Sequence, residues 1–412
     1  MKIVTAFILL ITFAGVSFNT TKEKEFVEDN FTFANTQIRA MIKAATPYKH
    51  LFPRTVNQQG ELVLTGKYEW TSGFFPGSLW YLYEAKGSEY IKQEAVKWTE
   101  QLDSIKTYTD HHDIGFMMYC SYGNAYRLTR NDNYKKVLIQ SAQSLSTRFN
   151  SVTGSIKSWN AFGSWDAKGR YNFPVIIDNM MNLELLFFAS KITGDPRYKN
   201  IAVTHARNVA RNHVREDYSC YHVVCYDTAT GKVLSQETSQ GYANNSTWAR
   251  GQAWGIYGFT MVYRETRDKA FLDIAQKMAD YYLNNVELPS DKIPYWDFYA
   301  NKTGYTPSVR SKAPQTPVKF RDASAAAITA SALFELSEFL GGAGSQYKSA
   351  AIDILHSLSS PAYRAQTGTN GNFILKHSVG SIPHGSEIDV PLVYADYYYL
   401  EALSRYRNLL TK

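Results

Sequence analysis

The sequence predicts an all-α domain, an (α/α)6 barrel of six inner and six outer helices, and three observations predict it. A helix–turn–helix joint recurs along the chain. The stretches between joints alternate between amphipathic and almost wholly apolar. Only two short patches, Tyr218 to Tyr226 and Phe373 to Ser378, have strand character.

The joint reads Gly87-Ser-Glu-Tyr90, Asn131-Asp-Asn-Tyr134, Gly194-Asp-Pro-Arg-Tyr198, Arg267-Asp-Lys-Ala-Phe271 and Gly344-Ser-Gln-Tyr347. Turn residues between two runs of period near 3.6 mark an αα-hairpin. In four of the five, an Ala follows the aromatic by four or five residues (Ala95, Ala202, Ala275, Ala351). The spacing between joints is too irregular for a short solenoid repeat, but self-similarity at this scale implies stacked helix pairs.

Six amphipathic stretches are expected as the outer ring: 22–46, 88–106, 131–149, 196–214, 269–286 and 344–359. The interleaved set, 71–86, 113–129, 177–193, 249–266, 322–340 and 390–408, is more nearly apolar all round, as in Met180 to Phe188 and Ala325 to Phe334. A helix apolar on every face belongs inside. The barrel is thus expected over 22–412 as one domain. Both strand-like patches fall in long connections between an outer helix and the next inner one, and long connections on one rim tend to carry function.

Residues 1–18 read as a leader: Lys2 is followed by an apolar run from Ile3 to Val16, with small residues at Ala14, Gly15 and Ser17. The run is short for a membrane span, so it predicts export, to the periplasm. No later segment is expected to span a bilayer. Cys120, Cys220 and Cys225 are odd in number and lack metal-ligand spacing, which predicts buried thiols. The formal net charge is +7, with Lys and Arg scattered and no basic run. That argues against a nucleic-acid arm and fits weak attraction for an acidic substrate. Aromatics make up 15% of the chain, which serves a core and equally a groove that holds sugars.

The distinctive residues collect at the starts of the inner helices: Trp70-Thr-Ser-Gly-Phe-Phe-Pro-Gly77, His111-His-Asp-Ile-Gly115, Ile177-Asp-Asn179, Trp248-Ala-Arg-Gly-Gln-Ala-Trp254, Arg321-Asp322 and Asp389. In such a barrel these ends open on one rim, where free N–H groups and helix dipoles favour a carboxylate ligand. Asp113, Asp178, Asp322 and Asp389 all stand where an N-cap would, and capping is the ordinary role of Asp there. Asp178 departs from it. Lying between Val175-Ile-Ile177 and Met180-Met181, it is expected to be buried, which raises a carboxyl pKa towards that of a general acid. Asp113 is its natural partner. His111 and His112 lack a spaced second pair, so an orienting role is expected rather than a metal site. Arg250 and Trp254, four apart, share a helix face that suits a carboxylate and a sugar ring, or a loop and a core. There is no Gly-rich phosphate loop, no His-Glu-x-x-His and no Gly-x-Ser-x-Gly.

Several blocks together resemble glycoside hydrolase family 88, the unsaturated glucuronyl hydrolases, over nearly the whole chain after the leader. They are Glu69-Trp-Thr-Ser-Gly-Phe74, His111-His-Asp-Ile-Gly-Phe116, Ile176-Ile-Asp-Asn-Met-Met-Asn182, Ser219-Cys-Tyr-His222, Ser246 through Gly258, Arg321 through Thr329 and Tyr394 through Glu401. The resemblance implies the same barrel, with Asp178 as general acid and base and Asp113 as its essential partner. It implies that Trp70 stacks on an unsaturated uronic acid, that His222, Gln240, Arg250 and Trp254 hold its carboxylate and hydroxyls, and that His112 orients the site. It implies no metal or organic cofactor. The reaction it implies is hydration of the C4=C5 double bond left by a polysaccharide lyase, on an acidic oligosaccharide.

The loop Lys376-His-Ser-Val-Gly-Ser-Ile-Pro-His384 matches the family least. Ser378 and Ser381, with Lys376, are expected to receive a sulfate. Two other readings compete: an unsaturated rhamnogalacturonyl hydrolase acting on pectin fragments, and a non-catalytic sugar-binding barrel.

Overall fold

The computed structural model describes the backbone of residues 2–412 and the side chains from Thr20 onward; the predicted leader, 1–18, lies outside the residues whose side chains are described. In chain order the elements begin with α1 (Lys2–Ala45), β1 (Leu51–Val56), β2 (Leu62–Gly66), α2 (Phe74–Lys86), α3 (Glu89–Glu100), α4 (Ile114–Met118), α5 (Asn124–Thr129) and α6 (Asp132–Ser146). Next come β3 (Phe149–Asn150), β4 (Ser155–Ile156), β5 (Phe162–Gly163), β6 (Arg170–Tyr171), β7 (Pro174–Ile176), α7 (Asn179–Thr193), α8 (Pro196–Asn212), β8 (Val223–Tyr226) and β9 (Val233–Glu237). The rest are α9 (Ala249–Thr266), α10 (Lys269–Leu283), α11 (Ala323–Leu340), α12 (Ser345–Ser359), β10 (Ser378–Ser381), β11 (Ser386–Val390) and α13 (Val393–Thr411).

These helices form a helical barrel. The inner wall runs α2, α4 with α5, α7, α9, α11 and α13, each packed on the next, and α13 returns to pack on α2. The other helices back it from outside: α3 on α2, α6 on α4 and α5, α8 on α7, α10 on α9, α12 on α11 and α1 on α13. The expected apolar character explains the layering. α11 is buried without interruption from Ala323 to Phe334, and α9 from Ala249 to Val262. α8, by contrast, buries only Tyr198, Ala202, His205, Ala206 and Val209, one stripe at helical spacing.

The repeated joint has a backbone explanation. Gly87, Arg130, Gly194 and Arg267 end their inner helices in the left-handed conformation, and Ser88, Asn131, Asp195 and Asp268 follow as side-chain N-caps of the outer helices. Each such cap stabilises its helix by about 1 kcal/mol. The aromatic and the Ala four residues on share the buried face, as in Tyr198 with Ala202 and Phe271 with Ala275.

Four expectations need correction. The chain is not purely helical: among the described residues the connections carry small sheets, four of two strands and one of three, ordered β7-β8-β9. Rim backbone outside helices must still pair its N–H and C=O groups, and hairpins do so. The strand expected at Phe373 begins only at Ser378, because the N–H groups of Ile374 and Leu375 instead bond the buried Asp396 carboxylate at 2.8 and 2.9 Å. The inner helix expected unbroken over 113–129 passes through a π turn at Tyr119–Gly123. Lastly, Ala323–Ser359 does meet the length and apolarity of a membrane span, but its most apolar window is 83% buried, because α11 is enclosed on all sides by the barrel. Cys120, Cys220 and Cys225 are buried free thiols, as expected.

Candidate active site

Two structural couplings bring Asp113 and Asp178 to the same end of the barrel. The first is between α4 and α7. Gly115 lies so close to Asn182 that a Cβ there would come within 2.4 Å of its Oδ1. That oxygen accepts the Phe116 N–H at 2.7 Å, and the Asn182 amide nitrogen lies 3.4 Å from His112 Nδ1. The second is the β7–β8 register. Ile176 pairs with Val223, and the Ile177 N–H donates to the His222 carbonyl at 3.0 Å, so Asp178 emerges beside His222.

Both carboxylates occupy N-cap positions, and neither caps: Asp113 and Asp178 make no side-chain cap bond. Asp322 does cap, accepting the N–H groups of Ser324 and Ala325. Asp389 is no cap at all; it lies on β11 with φ 57°, bonded to His377 Nδ1 at 2.7 Å. The helix expected to start there begins only at Val393.

The two uncommitted carboxylates differ in charge. Burial pushes Asp178 up to about 7; Arg250 opposes the shift, and the Asp113 charge adds to it. Its Oδ2 has no hydrogen-bond partner. Burial works against ionised Asp113 as well, but His112, His111 and Arg148 together hold it below the ordinary carboxylate range. His112 Nε2 and His111 Nδ1 each stand 3.3 Å from its oxygens. His112 is itself fully buried and pushed down to about 4, hence neutral, with Nδ1 3.3 Å from the Ser158 hydroxyl. Near neutral pH Asp178 therefore keeps part of its proton while Asp113 is a carboxylate.

His222 is likewise neutral, held well below the ordinary imidazole value by burial and then by Arg250. Its Nδ1 accepts the Ser239 N–H at 3.0 Å, so its proton sits on Nε2, 3.7 Å from Asp178 Oδ2. Trp254 is wholly buried against Phe116 and Tyr398. It offers no ring face to a sugar, only an indole N–H that bears on Asp178 without completing a well-formed bond. Trp70 is half-buried, its ring packed near Phe74, Phe116 and Tyr394.

Arg250 is more committed than its sequence suggests. It donates to Asp322 at 3.1 Å, to Gln240 Oε1 at 2.9 Å, to the Gly380 carbonyl at 2.6 Å and to the Val379 carbonyl. Its guanidinium lies over Trp248, 4.7 Å from the ring centre. It thus ties the β10–β11 hairpin to α9 and α11 while keeping positive charge near Asp178. The same hairpin holds the two serines. Ser378 is fully buried with an unpartnered hydroxyl, and Ser381 shares a 2.6 Å bond with His384 Nδ1. Lys376 turns away from them, donating to the Pro361 carbonyl at 2.9 Å, so the expected sulfate trio is not assembled.

Sequence reasoning missed a cleft of about 510 Å³ next to His222, lined among others by Trp159, Trp165, Ser239, Gln240, Arg310 and His384. Two Trp within seven residues of a polar connection were its available signal; Arg310 had none. Among the described residues, no three His, Cys, Asp or Glu side chains gather as metal ligands.

A helical barrel whose rim holds two carboxyls with pKa values pushed apart fits the acid and base pair of a glycosidase. The chain belongs to Glycosyl Hydrolase Family 88, whose sequence profile matches residues 43–406. It is 42% identical to an unsaturated glucuronyl hydrolase of Formosa agariphila, over 98% of each chain. The crystal structure of an unsaturated glucuronyl hydrolase specific for heparin matches with a TM-score of 0.85 at 46% identity, covering 94% of this chain and 98% of that one. A Streptococcus agalactiae unsaturated glucuronyl hydrolase variant complexed with dGlcA-GalNAc6S matches with a TM-score of 0.74 at 30% identity, covering 93% and 92%.

Proposed function

We propose that the protein releases the 4,5-unsaturated uronic acid from the non-reducing end of lyase-generated glycosaminoglycan oligosaccharides by hydrating the C4=C5 bond. The observation that carries this is the pair of unequal carboxyls, Asp178 raised to about 7 beside Asp113 held low. A vinyl ether needs a proton on carbon, and a carboxyl that keeps part of its proton at neutral pH supplies one. Asp178 donates its proton to C4 while water adds to C5, and the water's proton passes to a carboxylate, Asp178 itself or Asp113. The hemiketal at C5 then opens to a ketone, and the hemiacetal left at C1 expels the remaining sugar. Because the anomeric carbon is not attacked, the carboxylate spacing that sorts retaining from inverting glycosidases has no bearing here. The names of the relatives support the reading. His222 donates from Nε2 towards the uronate end, Arg250 supplies positive charge there, His112 orients Asp113, and Trp70 forms the stacking wall.

We read the barrel, more finely, as (α/α)6 with six inner and six outer helices spanning 22–412. The apolar run from Ile3 to Val16 supports export to the periplasm, which cell fractionation tests.

The deciding experiment follows the ultraviolet absorbance of the double bond in unsaturated chondroitin- and heparin-derived disaccharides. Loss with the wild type and none with Asp178→Asn is expected. Loss only with pectin-derived substrate transfers the reading to the rhamnogalacturonyl reaction. Binding without loss leaves a sugar-binding barrel.

A further inference from the structure

The cleft next to His222 and the Arg250 network is built for something the hydration chemistry does not use. It shares Gln240 with the Arg250 network, and Ser239 with His222, so it continues directly from the reacting end. On its wall, Arg310 is exposed, and its guanidinium makes no hydrogen bond or ion pair among the described residues. Its backbone is nonetheless anchored, the N–H donating to the Trp165 carbonyl at 3.2 Å. Two residues on, the Lys312 N–H donates to the Pro383 carbonyl at 2.9 Å. The Lys312 side chain crosses Gly385, and its charge, after burial, helps hold neighbouring His384 low.

The acids nearby are already engaged. Glu387 is paired with Arg54. Asp166 is 3.5 Å from Lys168 and accepts from Asn244. Buried Glu237 accepts from Ser164, from the Trp165 N–H and from Ser235. Arg310 is therefore an uncompensated cation on the wall of an aromatic cleft that His384 also lines, and Lys312, two residues on, lies against Gly385 in the same hairpin turn.

We infer that Arg310, with Lys312 beside it, receives a sulfate on the sugar that leaves. This rests on the proposed function. The unsaturated sugar's carboxylate belongs at the reacting end, and the hexosamine that follows it in a glycosaminoglycan carries negative charge only as sulfate. A planar guanidinium matches a sulfate with two parallel N–H donors, and a mobile ammonium adds charge. The cation is thus supplied from the connection between α10 and α11, not by Lys376.

The test compares one disaccharide in sulfated and unsulfated forms. In Arg310→Ala/Lys312→Ala, kcat/KM for the sulfated form falls about tenfold or more through KM, the scale of a charge-assisted hydrogen bond. The unsulfated rate stays within about twofold, which also reports an intact fold. Arg310→Lys keeps the charge, loses the fork and falls between. Added salt weakens wild-type turnover of the sulfated form more than that of the double variant. Equal losses on both substrates, or none on either, overturn the assignment. A wild type that hydrates neither substrate overturns the reaction itself, a separate result from loss of sulfate preference.

Discussion

His222 presents Nε2 to Asp178 Oδ2 at 3.7 Å, and neither atom is hydrogen-bonded to anything else. A buried donor and a buried acceptor left unpaired together cost folding free energy, on the order of 1–3 kcal/mol for each group. Both are aimed at the place where the reacting sugar is proposed to lie, which is where such a cost has a function. His222→Asn removes that directed N–H and is expected to lower kcat/KM by roughly 10²-fold, as for other preorganised donors. An unchanged kcat/KM would show that the N–H has no part in the reaction.

Stability should report the Asp178 proton independently of activity. Its folded pKa, about 7, lies above the unfolded value. The folded state therefore binds the extra proton between about pH 4 and 7, and stability falls as pH rises through that window. At pH 8 the deficit is of the order of 2–4 kcal/mol, and below pH 4 it vanishes. Asp178→Asn is expected to melt higher than wild type at pH 8 and to converge with it near pH 3.5. Parallel melting curves across pH would contradict a buried, protonated carboxyl.

The pH–rate profile follows from the same inequality. In the proposed hydration Asp178 acts as a protonated acid, so kcat/KM should fall with rising pH through about 7. The same proposal needs Asp113 ionised, and Asp113 is held low, so the acid limb should lie below the ordinary carboxylate range. Replacing His112 by Asn removes one of the groups holding Asp113 down and should move the acid limb upward. A basic limb unmoved by any change at Asp178 would assign the acid elsewhere.

Arg250 and Asp322 form a pair that is 2% and 0% exposed, and Asp322 also caps α11. Arg250→Met strands a buried carboxylate and should destabilise by about 3–5 kcal/mol. Adding Asp322→Asn should restore much of that loss. Additive losses in denaturant unfolding would mean that the two do not act as a unit.

Gly115→Ala places a methyl group 2.4 Å from Asn182 Oδ1. It should cost about 1–3 kcal/mol by overpacking. Because Asn182 joins the starts of α4 and α7, it should also lower kcat more than KM rises. An active, equally stable variant would show that the two carboxylates do not depend on this contact.

The helix set and its inner and outer assignment were legible because both rest on local information. A left-handed cap, an N-capping Ser, Asn or Asp and a buried stripe are each written within a few residues, as at Gly194, Asp195 and Tyr198 with Ala202. The unusual Asp178 was legible for the same reason, being a charge set among Val, Ile and Met. What a sequence conveys poorly is which partner a polar group finds across 50 or more residues. Asp113, Asp178 and Asp322 occupy like positions at inner-helix starts, yet only Asp322 caps, and only the packing of β7 on β8 and of Gly115 on Asn182 leaves the other two free. The commitment of Arg250 to two hairpin carbonyls, the turning away of Lys376 and the unpaired Arg310 over the cleft were decided there too. Caps and stripes are short-range and repeat, so the sequence by itself determined the helices and the burial of Asp178. Charges and hydrogen bonds on the rim depend on long connections meeting in space, so only the tertiary structure decided which carboxyl keeps its proton and which cation remains free.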